Sequence, residues 1–151
     1  MDVFRDAGRM TGLETLEAMI ADGRKPPIAE TLRFDLVEVS RGRAVFRGTP
    51  GAHAYNPIGV VHGGYAATLL DSALGCAVHS CLDATQAYTT LELKVAYHKA
   101  LTLETGPVDA EGKVVSIGRR VAFAEARLVD ASGRLYASAT STLLVFERPA
   151  A

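Results

Sequence analysis

The chain has almost no net charge. Sixteen basic and seventeen acidic residues leave a formal charge of −1 over 151 residues. Without a basic excess there is no electrostatic footprint for nucleic acid, whose phosphates draw in clustered Lys and Arg. Cysteine is scarce as well, with only Cys76 and Cys81. Their five-residue separation fits neither a zinc motif nor a disulfide framework, and it points to reduced thiols in a cytoplasm. His53, His79 and His98 have no partner at metal-ligand spacing, so no metal is expected. No apolar run approaches the roughly 20 residues of a membrane span. The opening Met-Asp-Val-Phe-Arg-Asp lacks the charged-then-apolar pattern of a secretory signal. Repeats, low-complexity tracts and linkers between domains are missing. A soluble, cytoplasmic, single domain over 1–151 is the expectation, with no nucleic-acid or membrane partner. Its 48% hydrophobic and 22% charged content is ordinary for a globular protein large enough to build a core.

Residues 3–21 place Phe4, Met10, Leu13, Leu16, Met19 and Ile20 mostly three or four apart, which predicts an amphipathic helix. Gly23 and Pro26-Pro27 end it, making 1–27 an N-terminal helix and linker. Thr31 to Val39 reads as a strand, Ser40 to Arg43 as a turn and Ala44 to Gly48 as the return strand. Pro50 to Gly59 is loop. From Gly63 to about Cys81 the composition is dominated by Ala, Leu, Val and Gly, the mark of a buried helix. Four strand-like stretches follow, at about 86–98, 103–115, 118–130 and 134–147. One helix, two strands, a buried helix and four strands predict an α+β fold, a six-stranded antiparallel sheet with the central helix on one face.

The most informative stretch is Asn56-Pro-Ile-Gly-Val-Val-His-Gly-Gly64 and the helix it enters. Glycines at a helix entrance let a ligand approach the backbone, and the first N–H groups point outward as donors. The same glycine pair also reads as a plain tight turn. Asp71 is the single acid of an otherwise neutral helix, costly to bury without a purpose. It heads a polar stripe of Thr68, Asp71, Ser72, Gly75 and His79 at three- and four-residue spacings. A donor site and a solitary acid point to acyl transfer.

Asn-Pro-x-Gly-x-x-His-Gly-Gly with an acid nine residues after the His resembles the hotdog-fold acyl-CoA thioesterases of the phenylacetate-degradation (PaaI-like) group. Weaker likenesses continue through Tyr88-Thr-Thr-Leu-Glu-Leu-Lys-Val and Ile117-Gly-Arg-Arg to Ala137-Ser-Ala-Thr-Ser-Thr-Leu-Leu-Val-Phe, covering roughly 28–147. At Ala96 the chain departs from many relatives, which carry Asn there. The resemblance implies a curved antiparallel hotdog sheet wrapped around the central helix. It also implies an acyl-CoA substrate with an aryl or medium-chain acyl group, and no cofactor beyond the coenzyme A of the substrate. By the same resemblance, the backbone N–H of Gly63, with Gly64 as the second candidate, polarises the thioester carbonyl. Asp71 then acts as nucleophile or general base, and His62 and Asn56 position the substrate. His62 reads equally well as a structural histidine, and Asn56 as a turn initiator.

Asp71 is eight residues beyond Gly63, about 12 Å along one helix. That is too far for both to touch one carbonyl, so a second chain is expected to supply Asp71 across a two-fold axis. A homodimer is the minimum, and the resemblance implies a dimer of dimers. Strand 86–98 is an edge that could continue the sheet between chains. The resemblance implies contacts from Ser116, Arg119 and Arg120 to the coenzyme's pantetheine and phosphates, for which arginine's planar fork is suited, and either arginine alone reads equally well as an exposed charged strand end. Thr68, Ser72 and Gly75 are candidates for the acyl pocket. Two other readings stand beside the thioesterase: a non-catalytic acyl-CoA-binding protein on the same fold, and a hotdog hydratase or dehydratase, which the His-Gly-Gly…Asp pattern disfavours.

Overall fold

The computed structural model describes residues 9–149. Phe4 and the rest of 1–8, part of the expected first helix, lie outside the described residues. Helix α1 spans Gly12–Ala21, and a capping box fixes its start. Thr11 Oγ1 accepts from the Glu14 N–H at 3.3 Å, and the Glu14 carboxylate accepts from the Thr11 N–H at 2.8 Å. The Thr-x-x-Glu spacing was in the sequence and outranks the apolar periodicity that runs through it. A second helix, α2 (Pro27–Leu32), replaces the expected start of the first strand. Pro27 sits at the first helical position, where the missing N–H is no loss and the fixed φ suits the helix. The proline pair therefore opens a helix as well as closing the previous one.

Six strands follow the expected order: β1 (Phe34–Ser40), β2 (Arg43–Gly48), β3 (Gln86–Tyr97), β4 (Val108–Ile117), β5 (Val121–Asp130) and β6 (Leu135–Glu147). Strand β4 begins five residues later than the expected 103. Gly106 at φ +76° and Pro107, which has no N–H to donate, hold the chain out of the ladder until Val108. The strands form one antiparallel sheet in the order β1-β2-β4-β5-β6-β3. Strands β1 and β3 are therefore its edges.

The third helix, α3 (Gly63–His79), lies against the sheet and stops two residues short of Cys81. Ser80 ends it: its hydroxyl donates to the Ala77 carbonyl at 2.6 Å and accepts from the Gly42 N–H at 2.8 Å, tying the helix end to the β1–β2 turn. Leu69, Leu70, Ala73, Leu74 and Val78 are fully buried. Opposite them, β5 alternates buried Ala122, Ala124, Ala126 and Leu128 with exposed residues, the period-two pattern of a sheet with one wet face. Small residues on both surfaces let the sheet curl closely around the helix. At Gly112 of β4 a Cβ atom would lie 2.4 Å from the Ala73 carbonyl oxygen, so only glycine permits this approach. Each fully buried leucine here contributes about 2 kcal/mol of transfer free energy. The fold is the curved antiparallel hotdog arrangement, a sheet wrapped on a central helix.

Candidate active site

The chain enters α3 through a turn built by Asn56. Its Oδ1 accepts from the N–H groups of Ile58 (3.1 Å) and Val60 (3.2 Å), and its own N–H donates to the Val60 carbonyl at 2.8 Å. This Asx turn occupies the acceptor side of Asn56 and leaves its amide nitrogen as the remaining polar edge. His62 is the N-cap. Its Nδ1 accepts from the Gly64 N–H at 2.7 Å, which fixes the second orphan donor of the helix. The third, on Tyr65, bonds the His62 carbonyl at 3.0 Å. Among the described residues the Gly63 N–H has no acceptor, so the two candidate donors are now distinguished: Gly64 is engaged and Gly63 is open. The His62 ring is thereby oriented with Nδ1 toward the backbone and Nε2 outward.

Tyr97, at the end of β3, donates its hydroxyl to the Gly63 carbonyl at 2.6 Å. Its ring packs over Gly63, where a Cβ would meet it at 3.1 Å. The cavity at this end of the helix holds about 300 Å³ and is lined by His62, Gly63, Ala66, Tyr97 and Lys99 among others.

Asp71 lies two turns further on, half-buried, facing β3. Thr90 donates its hydroxyl to Asp71 Oδ1 at 2.9 Å, and no Lys, Arg or His lies within ion-pair distance among the described residues. A carboxylate with one hydrogen-bond donor and no counter-charge keeps lone pairs free for a reacting group. The β3 register shifts between Thr90 and Glu92, a bulge beside the acid. Such an extra residue re-aims neighbouring side chains, here Thr90 toward the helix. The polar stripe divides into two. Thr68, Asp71 and Ser72 line a second cavity of about 400 Å³ with Cys76, Tyr88 and Thr90. Gly75 is buried beneath the Tyr88 ring, where a Cβ would stand 2.9 Å from the ring edge. Thr68 turns its hydroxyl back to the Gly64 carbonyl at 2.8 Å. Burial pushes the Cys76 thiol up to about 12 and the Tyr88 phenol well above its usual value, so both stay neutral.

Thr90, Tyr88, Cys76 and Tyr97 were given no site role from the sequence. Period-two alternation along 86–98 places Tyr88 and Thr90 on one face, and that signal could have paired them with the stripe. Ser116 is the penultimate residue of β4, and Arg119 and Arg120, expected inside a strand from about 118, form the β4–β5 turn instead. All three are exposed. The arginines line a shallow depression of about 340 Å³ with Gln86, Phe146 and Glu147. Within the chain this depression shares no residue with the Gly63 or Asp71 cavities. No group of three or more His, Cys, Asp or Glu residues is placed to hold a metal ion among the described residues, and no described helix is long and apolar enough to cross a membrane.

Comparison with known proteins gives these features a context. The chain is 25% identical over 118 residues to a 1,4-dihydroxy-2-naphthoyl-CoA hydrolase of Listeria monocytogenes, covering 78% of this chain and 94% of that protein. Among solved structures, a thioesterase family protein from Silicibacter pomeroyi superposes with a TM-score of 0.76 at 26% identity, over 88% of this chain and 96% of that one. A variant of the phenylacetic acid degradation protein PaaI from Thermus thermophilus superposes with a TM-score of 0.72 at 28% identity, over 79% and 98% of the two chains. The profile of the Thioesterase superfamily matches residues 58–137, from the Asn56 turn through α3 and into β6, and the chain belongs to that superfamily.

Proposed function

We propose that the protein is an acyl-CoA thioesterase that works as a dimer, with each site built from both chains. The observation that carries this reading is the arrangement on α3: an open Gly63 N–H at its start, and a lone, Thr90-oriented Asp71 about 12 Å further along. In this reading the thioester carbonyl of an acyl-CoA accepts the hydrogen bond of one chain's Gly63, with the positive end of the helix behind it. Asp71 of the second chain stands against the carbonyl carbon. It either takes a proton from water as hydroxide adds, or attacks directly to give a mixed anhydride that water then opens. Either way the C–S bond breaks and the coenzyme leaves as a thiolate; it takes up the proton held by Asp71 in the first route, and the one released when water opens the anhydride in the second. The outward edges of His62 and Asn56 position the thioester. Thr68 and Ser72 border the acyl group, Gly75 supports the Tyr88 ring from beneath, and Gly64 shapes the entrance while its N–H holds His62.

Ser116, Arg119 and Arg120 are the proposed contacts for the coenzyme's pantetheine and phosphates. No cofactor is needed, since coenzyme A belongs to the substrate. The exposed edge of β3, with Leu91 at its bulge, is the proposed seam of the dimer, and a dimer of dimers and a cytoplasmic location complete the reading.

The test is release of free thiol from a panel of aromatic and aliphatic acyl-CoAs by the wild type and Asp71→Asn. Turnover that disappears in the variant, with acyl-CoA binding retained, supports the assignment. A wild type inactive on every thioester contradicts it and favours a binding protein.

A further inference from the structure

A third cavity, of about 400 Å³, lies between α1, the α2 segment and α3. Pro26, Phe46, Cys76 and Tyr88 line both this chamber and the Asp71 cavity, so the two meet at a neck formed by these four side chains. Beyond the neck the walls are mainly apolar and include Met10, Leu16, Met19, Ala29 and Leu36. The cationic residues of the lining are partnered, and Arg24 among them is itself buried. Lys25 pairs with Asp35 at 2.6 Å, Arg24 bonds Asp22 at 3.1 Å, and Arg148 Nε donates to the Gln86 carbonyl at 3.1 Å. His79 is the α3 residue of the lining furthest along the helix from Asp71, and its ring leans on Tyr88 with centroids 5.4 Å apart. Helix α1 is fixed over the chamber. The Gly12 N–H donates to the Leu82 carbonyl at 3.0 Å, and Gly12 sits directly on the His79 backbone.

Taking the thioesterase reading as its basis, we propose that the acyl group passes from Asp71 through the Cys76–Tyr88 neck and ends beneath α1. The substrates are then acyl-CoAs with a flexible, mainly aliphatic chain of about ten carbons. The length comes from the helix. His79 is eight residues beyond Asp71, about 12 Å along α3. An extended chain advances about 1.2 Å per bond, one third of the rise of a fully extended residue, so about ten bonds span it. A single aromatic ring would leave most of the chamber empty. Paired methionines, unbranched and polarizable, suit a chain that must bend through a neck.

The experiment measures kcat/KM for butyryl-, decanoyl-, palmitoyl- and benzoyl-CoA. Alongside it, the Kd of the non-hydrolysable thioether analogues of butyryl- and decanoyl-CoA is measured for the wild type, Met19→Trp and Ala87→Leu. The expected wild type favours decanoyl over butyryl by about tenfold or more in both readouts, with benzoyl and palmitoyl below decanoyl. Each variant narrows the chamber from a different wall and brings the decanoyl-to-butyryl ratio close to one while still melting cooperatively. A wild type without the chain-length preference, or a preference intact in both variants, overturns the chamber assignment and leaves the thioesterase reading standing. Analogue binding with the preference but no hydrolysis of any thioester does the reverse.

Discussion

At the start of α3 the candidate chemistry is carried by the backbone, and two turns later it is carried by a side chain. The Gly63 N–H needs no particular residue to exist. It needs an N-cap that satisfies its neighbours and leaves it free, and His62 does so by engaging the Gly64 N–H. Asp71 is the opposite case, a chosen residue in a half-buried position, held by one hydroxyl from an edge strand. The two ends also face different cavities within one chain. In the proposed dimer, a donor and an acid too far apart for one carbonyl within a chain are brought together from opposite chains.

That contrast can be broken at either end. The largest effect is expected from Asp71→Asn, which keeps the shape and the Thr90 hydrogen bond but cannot take a proton. Its kcat should fall about 10³-fold in thiol-release assays, with acyl-CoA affinity little changed. Gly63→Pro removes the backbone donor without unmaking the helix. Proline suits the first helical position, and His62, at φ −60° and ψ 135°, already has the extended conformation required before it. The Tyr97 ring must yield by a few tenths of an ångström. Here kcat should fall about 10²-fold, and circular dichroism should show the helix content unchanged.

His62→Asn sharpens the comparison, because asparagine is among the best N-caps. Stability should stay within about 0.5 kcal/mol by urea unfolding. The lost imidazole edge should lower kcat/KM about tenfold. The far end of the same helix titrates instead. Burial, and secondarily the charge of Arg148, push His79 down to about 4. Between that value and its ordinary 6.5 the unfolded chain binds more protons than the folded one, so stability is lost as pH falls through this window. The loss should be on the order of 2 kcal/mol, and His79→Gln should flatten it in thermal melts between pH 7 and pH 4.

Much of this was legible in residues 58–147, where glycine breaks, alternation and an apolar helix agree with one another. The central helix and the four strands after it, apart from the start of β4, could be read from local pattern, and so could the placing of Gly63 and Asp71 on that helix. The N-terminal third was harder. Helix α2 is six residues long, too short to show a period, and Pro27 carries opposite meanings before and inside a helix. The boundary at Thr11 needed its capping partner Glu14 to be weighed above the apolar spacing. The surroundings of Asp71 were hidden for a different reason. Thr90 and Tyr88 reach it only because a bulge in β3 and the bare Gly75 let strand and helix meet, and these contacts are set by tertiary packing.

The central claim, that each site joins Gly63 of one chain to Asp71 of another, is tested most directly by mixing two dead proteins. Asp71→Asn and Gly63→Pro chains are co-expressed with different affinity tags, and the doubly tagged species is assayed. A shared site predicts that this heterodimer regains about half of wild-type activity, because one of its two sites holds both intact groups. A heterodimer that forms and stays as inactive as either parent would place both groups in the same chain and contradict the account.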